Sequence, residues 1–216
     1  MMAGRFAQSA FSGHASGTYA KETTMDVIFS PELTVCGIEE LAGHSTRNVT
    51  HVLSLIDPER AELEAFGAYG THRRTVLRFH DIIDALPGRT MPTPGHVEAI
   101  LRFGEEFSGR QDADAAGHIL VHCHMGVSRS TAAMLTLMAQ ANPGEGADSL
   151  FERLVTIRPQ AWPNSQMVGF ADALLGRKGD LTAALARHYG RQVKARPQFV
   201  AWMTELGREA ELRMAV

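Results

Sequence analysis

The stretch VHCHMGVSRST, residues 121–131, joins two segments whose patterns predict the fold. The segment that runs into it, GHILVHC at residues 117–123, is typical of a strand buried on both faces of a parallel sheet. The segment that follows, residues 130–141, is apolar nearly all round and predicts a buried helix. The loop between them therefore lies at the carboxyl end of a central strand, where open α/β sheets bind ligands.

The rest of the chain alternates short β-branched runs with helical patterns and then becomes wholly helical. Strands are predicted at LTVCGI, VTHVLSLI and TVLRF, residues 33–38, 49–56 and 75–79. Helices are predicted at residues 59–66 and 97–107, in two stripes within 150–175, and in two segments at 181–190 and 197–214. This order predicts a three-layer α/β fold, with a central sheet of four or five strands flanked by helices.

Length and composition are those of a globular domain with appended segments. The chain has 216 residues, of which 44% are hydrophobic and 21% are charged. We predict a disordered tail at 1–24, one domain at 25–178 and a C-terminal helical extension at 179–216. A net charge of −3 gives no general attraction to nucleic acid, and no apolar run is long enough for membrane insertion. The first residues lack a signal-peptide core and two cysteines make no disulfide framework, so we predict a cytoplasmic location.

The loop in the quoted stretch has the length and composition of an anion-binding loop. Five residues separate Cys123 from Arg129, enough to wind round a tetrahedral oxyanion with backbone N–H groups pointing inward. A glycine permits a backbone conformation that a side chain hinders, and the following helix adds its own N–H groups and dipole. Arg129 supplies a planar fork for two oxygens. The predicted anion-binding residues are His124, Met125, Gly126, Val127, Ser128 and Arg129.

The same surroundings favour Cys123 as a nucleophile. Cations, inward amides and a helix N-terminus lower a thiol pKa from about 8.5 to between roughly 3.5 and 7.5. The thiolate would attack phosphorus in line and form a phosphocysteine intermediate. Ser130 is placed to hydrogen-bond the sulfur as it leaves, and His122 is interpreted as a supporting residue that orients the loop.

Cys123 has two other interpretations. His122, Cys123 and His124 are possible metal ligands, but no CxxC or HExxH motif accompanies them. An inert buried thiol is the usual state of a lone cysteine. Both interpretations leave the glycine, arginine and second serine of the stretch unexplained, so no metal site is predicted. Cys36, in a predicted strand, is interpreted as a core residue, with a disulfide to Cys123 as the alternative.

The motif HCHMGVSRS, residues 122–130, resembles the signature loop HC-x-x-G-x-S-R-S of cysteine-dependent protein phosphatases in the dual-specificity-like branch. More narrowly, residues 27–176 resemble small bacterial tyrosine-phosphatase-like proteins. The resemblance implies a three-layer phosphatase domain that hydrolyses phosphomonoesters. Because the loop supplies positive charge, no metal or organic cofactor is expected. The expected partner is a phosphorylated protein substrate, without nucleic-acid binding.

The resemblance also implies functional residues outside the loop. The family carries its general acid on an aspartate after an upstream strand, and VLRFHDIIDA offers Asp81 and Asp84. Asp81 matches the family position better and is the predicted acid. The segment RPQAWPNSQMVGFADAL, residues 158–174, resembles the family's Arg-Pro…Pro-Asn segment. Asn164 in it is either a helix N-cap or a link to the active-site loops.

Other functions stay open at this point. The loop accepts the dianion of a phosphoinositide, nucleotide or sugar phosphate as well, although none of its five central residues is a lysine for inositol phosphates. A non-catalytic phospho-ligand-binding module would commonly have lost the cysteine, the arginine or the acid. A rhodanese-type sulfurtransferase has a similar loop but needs neither Asp81 nor Ser130. An active protein tyrosine or dual-specificity phosphatase is the leading hypothesis, with Trp202 interpreted as a core residue.

Overall fold

The computed structural model describes residues 31–108 and 117–216. The predicted tail at 1–24 and the first residues of the predicted domain, 25–30, lie outside the described residues. No helix within the described ranges is long and apolar enough to cross a bilayer.

A parallel sheet of four strands forms the centre of the described chain, in the order β1-β4-β2-β3. The strands are β1 (Glu32–Cys36), β2 (His51–Ile56), β3 (Arg73–Arg78) and β4 (His118–His122). Every residue of the two central strands, β2 and β4, is buried. This burial accounts for their nearly continuous apolar sequence, and the predicted α/β class is confirmed.

Helices cover both faces of the sheet. The seven α-helices are α1 (Pro94–Ser108), α2 (Arg129–Ala141), α3 (Ala147–Ile157), α4 (Ser165–Leu174), α5 (Asp180–Ala195), α6 (Gln198–Glu205) and α7 (Glu209–Met214). Two 3₁₀ helices, Ile38–His44 and Glu64–Ala68, complete the described elements. Because side chains alternate along a strand, Leu53 and Leu55 of β2 pack with the α-helices, whereas Val52 packs with the 3₁₀ helices.

The helix predicted at residues 59–66 is wrong. The chain there is irregular as far as Leu63, and only a short 3₁₀ helix, Glu64–Ala68, follows. The guanidinium of Arg78 accounts for the difference, because its Nη1 donates to the carbonyl oxygens of Asp57, Pro58 and Arg60. The carbonyls of Pro58 and Arg60 would accept amide hydrogen bonds in an α-helix over this segment, whereas the carbonyl of Asp57 accepts from the amide of Arg60 in a turn.

The segment predicted as helical at 197–214 is broken into α6 and α7 at Gly207. Gly207 has φ +66°, its amide donates to the carbonyl of Thr204, and the amide of Arg208 donates to that of Met203. This hydrogen-bond pair ends a helix where glycine takes the left-handed conformation. The break turns the chain back and buries the side chain of Arg208.

Helices α5 to α7 share the core of the preceding helices. Leu181, Leu185 and Tyr189 of α5 are fully buried in the same cluster as the sheet residues. The ring of Tyr189 stacks on Trp162 at a centroid distance of 4.2 Å. The division into a domain at 25–178 and an extension at 179–216 stays a prediction. The shared core means that the two parts pack on each other.

Leu185→Ala should lower the free energy of unfolding of the whole chain by about 2–5 kcal/mol, because it leaves a cavity in the shared core. Urea denaturation, followed by circular dichroism and by tryptophan fluorescence, should show one transition shifted to lower urea. Leu174→Ala is the control, since Leu174 is exposed and its loss should cost less than about 0.5 kcal/mol. Two transitions, only one of them sensitive to Leu185→Ala, would speak for two independent units.

Candidate active site

The signature loop, residues 123–129, leaves the carboxyl end of β4 and enters α2. In the sheet, β4 lies between β1 and β2, so the ends of both neighbouring strands border the loop. This arrangement brings Gly37, which follows β1, and Asp57, which follows β2, to the same edge. The loop therefore lies where the residues of three strand ends converge.

The peptide carbonyls of the loop are bonded away from its interior. Each carbonyl from residue 124 to residue 128 accepts a hydrogen bond from a group outside this run. The carbonyl of His124 accepts from the amide of Ile38, and those of Met125 and Gly126 accept from the guanidinium of Arg158. The carbonyl of Val127 accepts from the amide of Trp162 and the hydroxyl of Thr131. The carbonyl of Ser128 accepts from the same hydroxyl and from the amide of Ala132. With the carbonyls fixed outward, the amide N–H groups are left to face the concave side, as an anion requires.

Arg158 supplies two of these hydrogen bonds and was not identified from the sequence as a site residue. Its Nε donates to the carbonyl of Gly126 and its Nη2 to that of Met125, each at 2.9 Å. Glu40 holds the same guanidinium through two hydrogen bonds of 2.8 Å. The hydrogen bonds from Arg158 keep the pKa of Glu40 below its usual value, so the ion pair persists at neutral pH.

Gly126 has φ +68° and packs directly against the chain that follows β1. A Cβ at this position would lie 2.6 Å from the amide nitrogen of Gly37 and closer still to the carbonyl carbon of Cys36. Glycine is therefore required both by the backbone conformation and by the space. The sequence predicted the first reason, and the second depends on the pairing of β1 with β4.

Cys123 and Ser130 lie together at the base of the site. The Sγ of Cys123 is 3.1 Å from the Oγ of Ser130, and both side chains are buried. Ser130 is in the first turn of α2, where free amides and the helix dipole favour a negative charge. The geometry suits a hydroxyl that stabilises a thiolate.

The other cysteine, Cys36, is also a free thiol and buried. Burial raises the pKa of Cys36 to about 12, so this thiol stays protonated at neutral pH. Cys36 occupies the core position that the sequence predicted, and the alternative disulfide with Cys123 is not formed.

Arg129 is buried and points its guanidinium along the floor of the site. Its Nη1 donates to Asp57 Oδ1 at 2.7 Å and to the carbonyl of Phe79. Its Nε is buried and has no hydrogen-bond partner among the described residues. A buried, unpaired N–H of a charged group is costly unless a ligand completes it, so this nitrogen is available for an oxyanion. Asp57 is not among the site residues predicted from the sequence, and it reaches Arg129 because β2 lies beside β4 in the sheet.

Asp81 and Asp84, the two candidate acids, lie in different surroundings. Asp81 Oδ1 accepts hydrogen bonds from Ser128 Oγ at 2.7 Å and from Asn164 Nδ2 at 3.0 Å. Asp84 is exposed and makes no hydrogen bond or ion pair with another described residue. Asn164 also caps α4 by accepting from the amide of Met167, so it has both of the alternatives left open by the sequence.

His122 is fully buried beneath the loop, with its Nε2 2.7 Å from Ser54 Oγ. Ser54 Oγ accepts from Arg74 Nε, so its own hydrogen is free for the imidazole. Burial lowers the pKa of His122 to about 4, and the ring is neutral at physiological pH. Its position fits support of the loop and not proton transfer.

A cavity of 390 Å³ opens onto the loop, with Cys123, Asp81 and Arg129 among its lining residues. Trp202, interpreted from the sequence as core, is only half-buried and also lines the cavity. The lining further contains large apolar side chains that are more than half exposed, namely Leu86 (52%), Met125 (59%) and Leu206 (53%). The site is thus a charged floor with an apolar rim.

Arg208, from the turn between α6 and α7, also reaches this cavity. Its Nη1 donates to Ser128 Oγ at 2.7 Å and lies 3.4 Å from Asp81 Oδ1. No local pattern indicates a role for Arg208, because it lies far along the chain from Ser128 and Asp81, which it contacts. The C-terminal helices therefore contribute directly to the site.

One group of possible metal ligands among the described residues lies beside the cavity, formed by Asp57, Glu59 and His80. The amide of Thr90 donates to His80 Nδ1, so the ring proton is on Nε2, which donates to Glu59 at 3.1 Å. Asp57 accepts from Arg129. Each of the three groups thus has a protein partner, and we assign no metal to them.

No protein-family model matches the sequence, and no curated protein matches it either. Solved structures do match. Human DUSP28 is 19% identical with a TM-score of 0.50, over 69% of this chain and 97% of its own. The human tyrosine phosphatase-like serine/threonine/tyrosine-interacting protein is 17% identical with a TM-score of 0.50, over 69% of this chain and 95% of its own.

The chain has the fold of the dual-specificity phosphatases. A mouse putative dual specificity phosphatase, solved with zinc tungstate, is likewise 17% identical with a TM-score of 0.50, over 72% of this chain and 89% of its own. The resemblance predicted from the signature motif is thereby confirmed for the fold. At these identities the function has to be argued from the site itself.

Gly126→Ala should weaken the binding of inorganic phosphate or tungstate about tenfold or more, because a left-handed conformation strains alanine and the added Cβ displaces the loop. Isothermal titration calorimetry measures the affinity. Gly169→Ala, in the middle of α4 with open space around it, is the matched control and should bind the anion as the unmodified protein does. Equal affinities for the two variants would exclude the loop as the anion site.

Proposed function

We propose that this protein is a cysteine-dependent phosphatase that removes phosphate from tyrosine, or from tyrosine and serine or threonine, in phosphorylated proteins. The observation that carries the proposal is a convergence on one cavity. Cys123, Arg129 and residues of the signature loop line this cavity, and the Nε of Arg129 has no hydrogen-bond partner among the described residues. A phosphoryl group at this point would have a nucleophile below it and hydrogen-bond donors around its equatorial oxygens.

In the first step, the Cys123 thiolate attacks phosphorus and an S–P bond forms while the P–O bond to the leaving group breaks. Arg129 and the amides of residues 124–129 stabilise the charge on the three equatorial oxygens. Asp81 gives its proton to the departing oxygen. The products of this step are the free alcohol or phenol and a phosphocysteine.

In the second step, a water molecule attacks the phosphocysteine and Asp81 takes up the proton that it loses. The S–P bond breaks, and the Ser130 hydroxyl donates to the sulfur as its negative charge returns. Inorganic phosphate leaves and the thiolate is regenerated. The positive charge needed comes from Arg129 and the loop amides, so the reaction as proposed uses no metal or organic cofactor.

The walls of the site favour a protein substrate. The apolar rim suits the ring of a phosphotyrosine and apolar neighbours in a peptide. A second cavity of 670 Å³ adjoins the first at Asp57 and His124, and its lining includes the carboxylates of Asp57, Glu59, Glu62 and Glu64. Three of these carboxylates pair with arginines (Asp57 with Arg129, Glu59 with Arg89 and Glu62 with Arg74), so little unpaired negative charge is left there to act on a substrate.

The alternatives are weaker on the same grounds. A phosphoinositide would find no lysine among the five central residues of the loop, and a sugar phosphate has no apolar group to pack on the rim. A sulfurtransferase would have no use for the carboxyl group of Asp81 in the cavity that contains Cys123. A binding module is the strongest rival, because one protein with this fold is described as phosphatase-like and the fold alone does not imply turnover.

A cytoplasmic location belongs to this proposal as well. Both cysteines are free thiols, and a nucleophilic thiol needs a reducing compartment to stay active.

Cys123→Ser should abolish phosphate release from aryl phosphates, with a loss of at least about 1000-fold, because the nucleophile is removed. Asp81→Ala should cost about 100-fold with phenyl phosphate and much less with 4-nitrophenyl phosphate, whose leaving group departs as a stable anion. Asp84→Ala is the matched control and should leave both rates unchanged. The assay is done in EDTA, which excludes a contribution from adventitious metal.

Each result of this assay has a defined meaning. Metal-independent turnover that is lost with Cys123→Ser supports the phosphatase. A folded but inactive wild type would favour the binding module or, if thiosulfate is turned over, the sulfurtransferase. If Asp84→Ala and not Asp81→Ala shows the dependence on leaving group, the acid is misassigned.

Leu206→Asp should raise KM for a phosphotyrosine peptide about tenfold, because it places a charge where the substrate ring would pack. Inhibition by inorganic phosphate should be nearly unchanged, since phosphate contacts only the floor. Val200→Asp is the control, because Val200 is also an exposed apolar residue, on α6, but does not line the cavity. Equal KM values for the two variants would argue against the apolar rim as a substrate contact.

A further inference from the structure

Arg208 occupies an unusual place for an arginine outside the signature motif. It is 3% exposed, lies at the turn between α6 and α7, and borders the cavity that contains Cys123. A buried arginine is costly unless all of its donors are engaged. The partners of its guanidinium therefore indicate what the position is for.

Glu211 fixes one side of this guanidinium. It accepts from Arg208 Nε and Nη2, each at 2.8 Å. Glu211 itself is 0% exposed and also accepts from the indole Nε1 of Trp162 at 2.6 Å and from the amide of Ser165 at 2.8 Å. The carboxylate is thus held by the body of the domain and not only by its own helix.

The remaining nitrogen, Nη1, is directed to the site. It donates to Ser128 Oγ at 2.7 Å, and Ser128 Oγ in turn donates to Asp81 Oδ1 at 2.7 Å. Because the hydroxyl oxygen accepts from Arg208, its single hydrogen is oriented to Asp81. Arg208 Nη1 also lies 3.4 Å from the same Oδ1.

All of these contacts are made by one oxygen of Asp81. Oδ1 is engaged by Ser128, Asn164 and Arg208, whereas Oδ2 has no hydrogen-bond partner within residues 31–108 and 117–216. A carboxyl group that is fixed through one oxygen keeps the other in a defined direction. Since Asp81 lines the cavity, the free oxygen is the one available to a ligand.

We propose that Arg208 is a positioning residue for the general acid. Held by Glu211, it fixes Asp81 Oδ1 directly and through Ser128, so that Asp81 Oδ2 carries the proton exchanged with the leaving group and with water. This inference rests on the proposed phosphatase function. It makes the C-terminal helices part of the catalytic apparatus and not only part of the core.

Arg208 also acts on the charge of Asp81. Burial raises the pKa of Asp81, but the positive charges of Arg208 and Arg129, with hydrogen bonds from Ser128 and Asn164, outweigh burial and hold that pKa below its usual value. Other titratable or charged groups lining the cavity are Asp57, His80, Arg89, Cys123 and His124.

The direction of the pH effect follows from the role of the acid. The first step needs Asp81 protonated, so kcat/KM falls as pH rises through the pKa of this group. Removal of the Arg208 charge raises that pKa. The protonated form then persists to higher pH, and the alkaline limb of the profile moves upward in pH.

The test compares kcat/KM for phenyl phosphate and 4-nitrophenyl phosphate across pH in the full chain. Arg208→Met combined with Glu211→Gln removes both buried charges together, so that neither is left unpaired. We expect a loss of about 10- to 100-fold with phenyl phosphate, a smaller loss with 4-nitrophenyl phosphate, and an alkaline limb at higher pH. Arg213→Met, an exposed arginine of α7 without a partner among the described residues, should match the wild type.

Arg208→Lys covers the case in which the double variant does not fold. It keeps a positive charge but loses the planar fork. We expect the alkaline limb to stay in place while phenyl phosphate loses more rate than 4-nitrophenyl phosphate. Equal losses with the two substrates in the folded variants, or behaviour like that of Arg213→Met, would overturn the inference alone. An inactive wild type would overturn the proposed function and the inference together.

Discussion

The orientation of five peptide groups in the signature loop is the constraint on which the site depends. A peptide unit cannot present its N–H and its C=O to the same side, so an anion cradle requires every carbonyl to find a partner outside the loop. The surrounding domain provides these partners from the chain after β1, from Arg158 and from Trp162. The loop therefore has its shape before any anion binds, and binding would need little reorganisation.

The same need for fixed polar groups explains how far the site extends beyond the loop. Asp57 orients Arg129 from the end of β2, and Arg208 reaches the cavity from the turn before α7. Each of these is a buried or half-buried charge whose partner is another site residue, which makes the network costly to disrupt. The apolar stacking of Trp162 on Tyr189 holds α5 against the loop-bearing part and so supports that network.

A protein with a net charge of −3 can still offer a strongly anion-attracting floor, because charge acts locally when water is excluded. Arg129 and Arg208 are buried beside the loop and supply positive charge there, whereas burial lowers the pKa of His122 to about 4 and leaves that ring neutral. The carboxylates of the neighbouring cavity lie outside this floor, and three of the four pair with arginines.

The α/β class and the anion loop could be predicted from the sequence, because both follow from local patterns. Continuous apolar runs predict which strands are buried on both faces. The anion loop is recognisable from seven consecutive residues, Cys123 to Arg129, with Gly126 between them. The prediction from the sequence failed at residues 59–66. The helical pattern is present there, but Arg78, which lies outside this segment, donates to the carbonyl oxygens of Pro58 and Arg60.

Tertiary structure alone decided which charges join the loop. Asp57 and Arg208 carry no local pattern that separates them from ordinary turn and surface residues. Their roles arise because β2 lies beside β4 in the sheet and because the break at Gly207 turns a side chain inward. Such contacts between distant parts of the chain depend on strand order and helix packing, which the spacing of residues along a sequence does not contain.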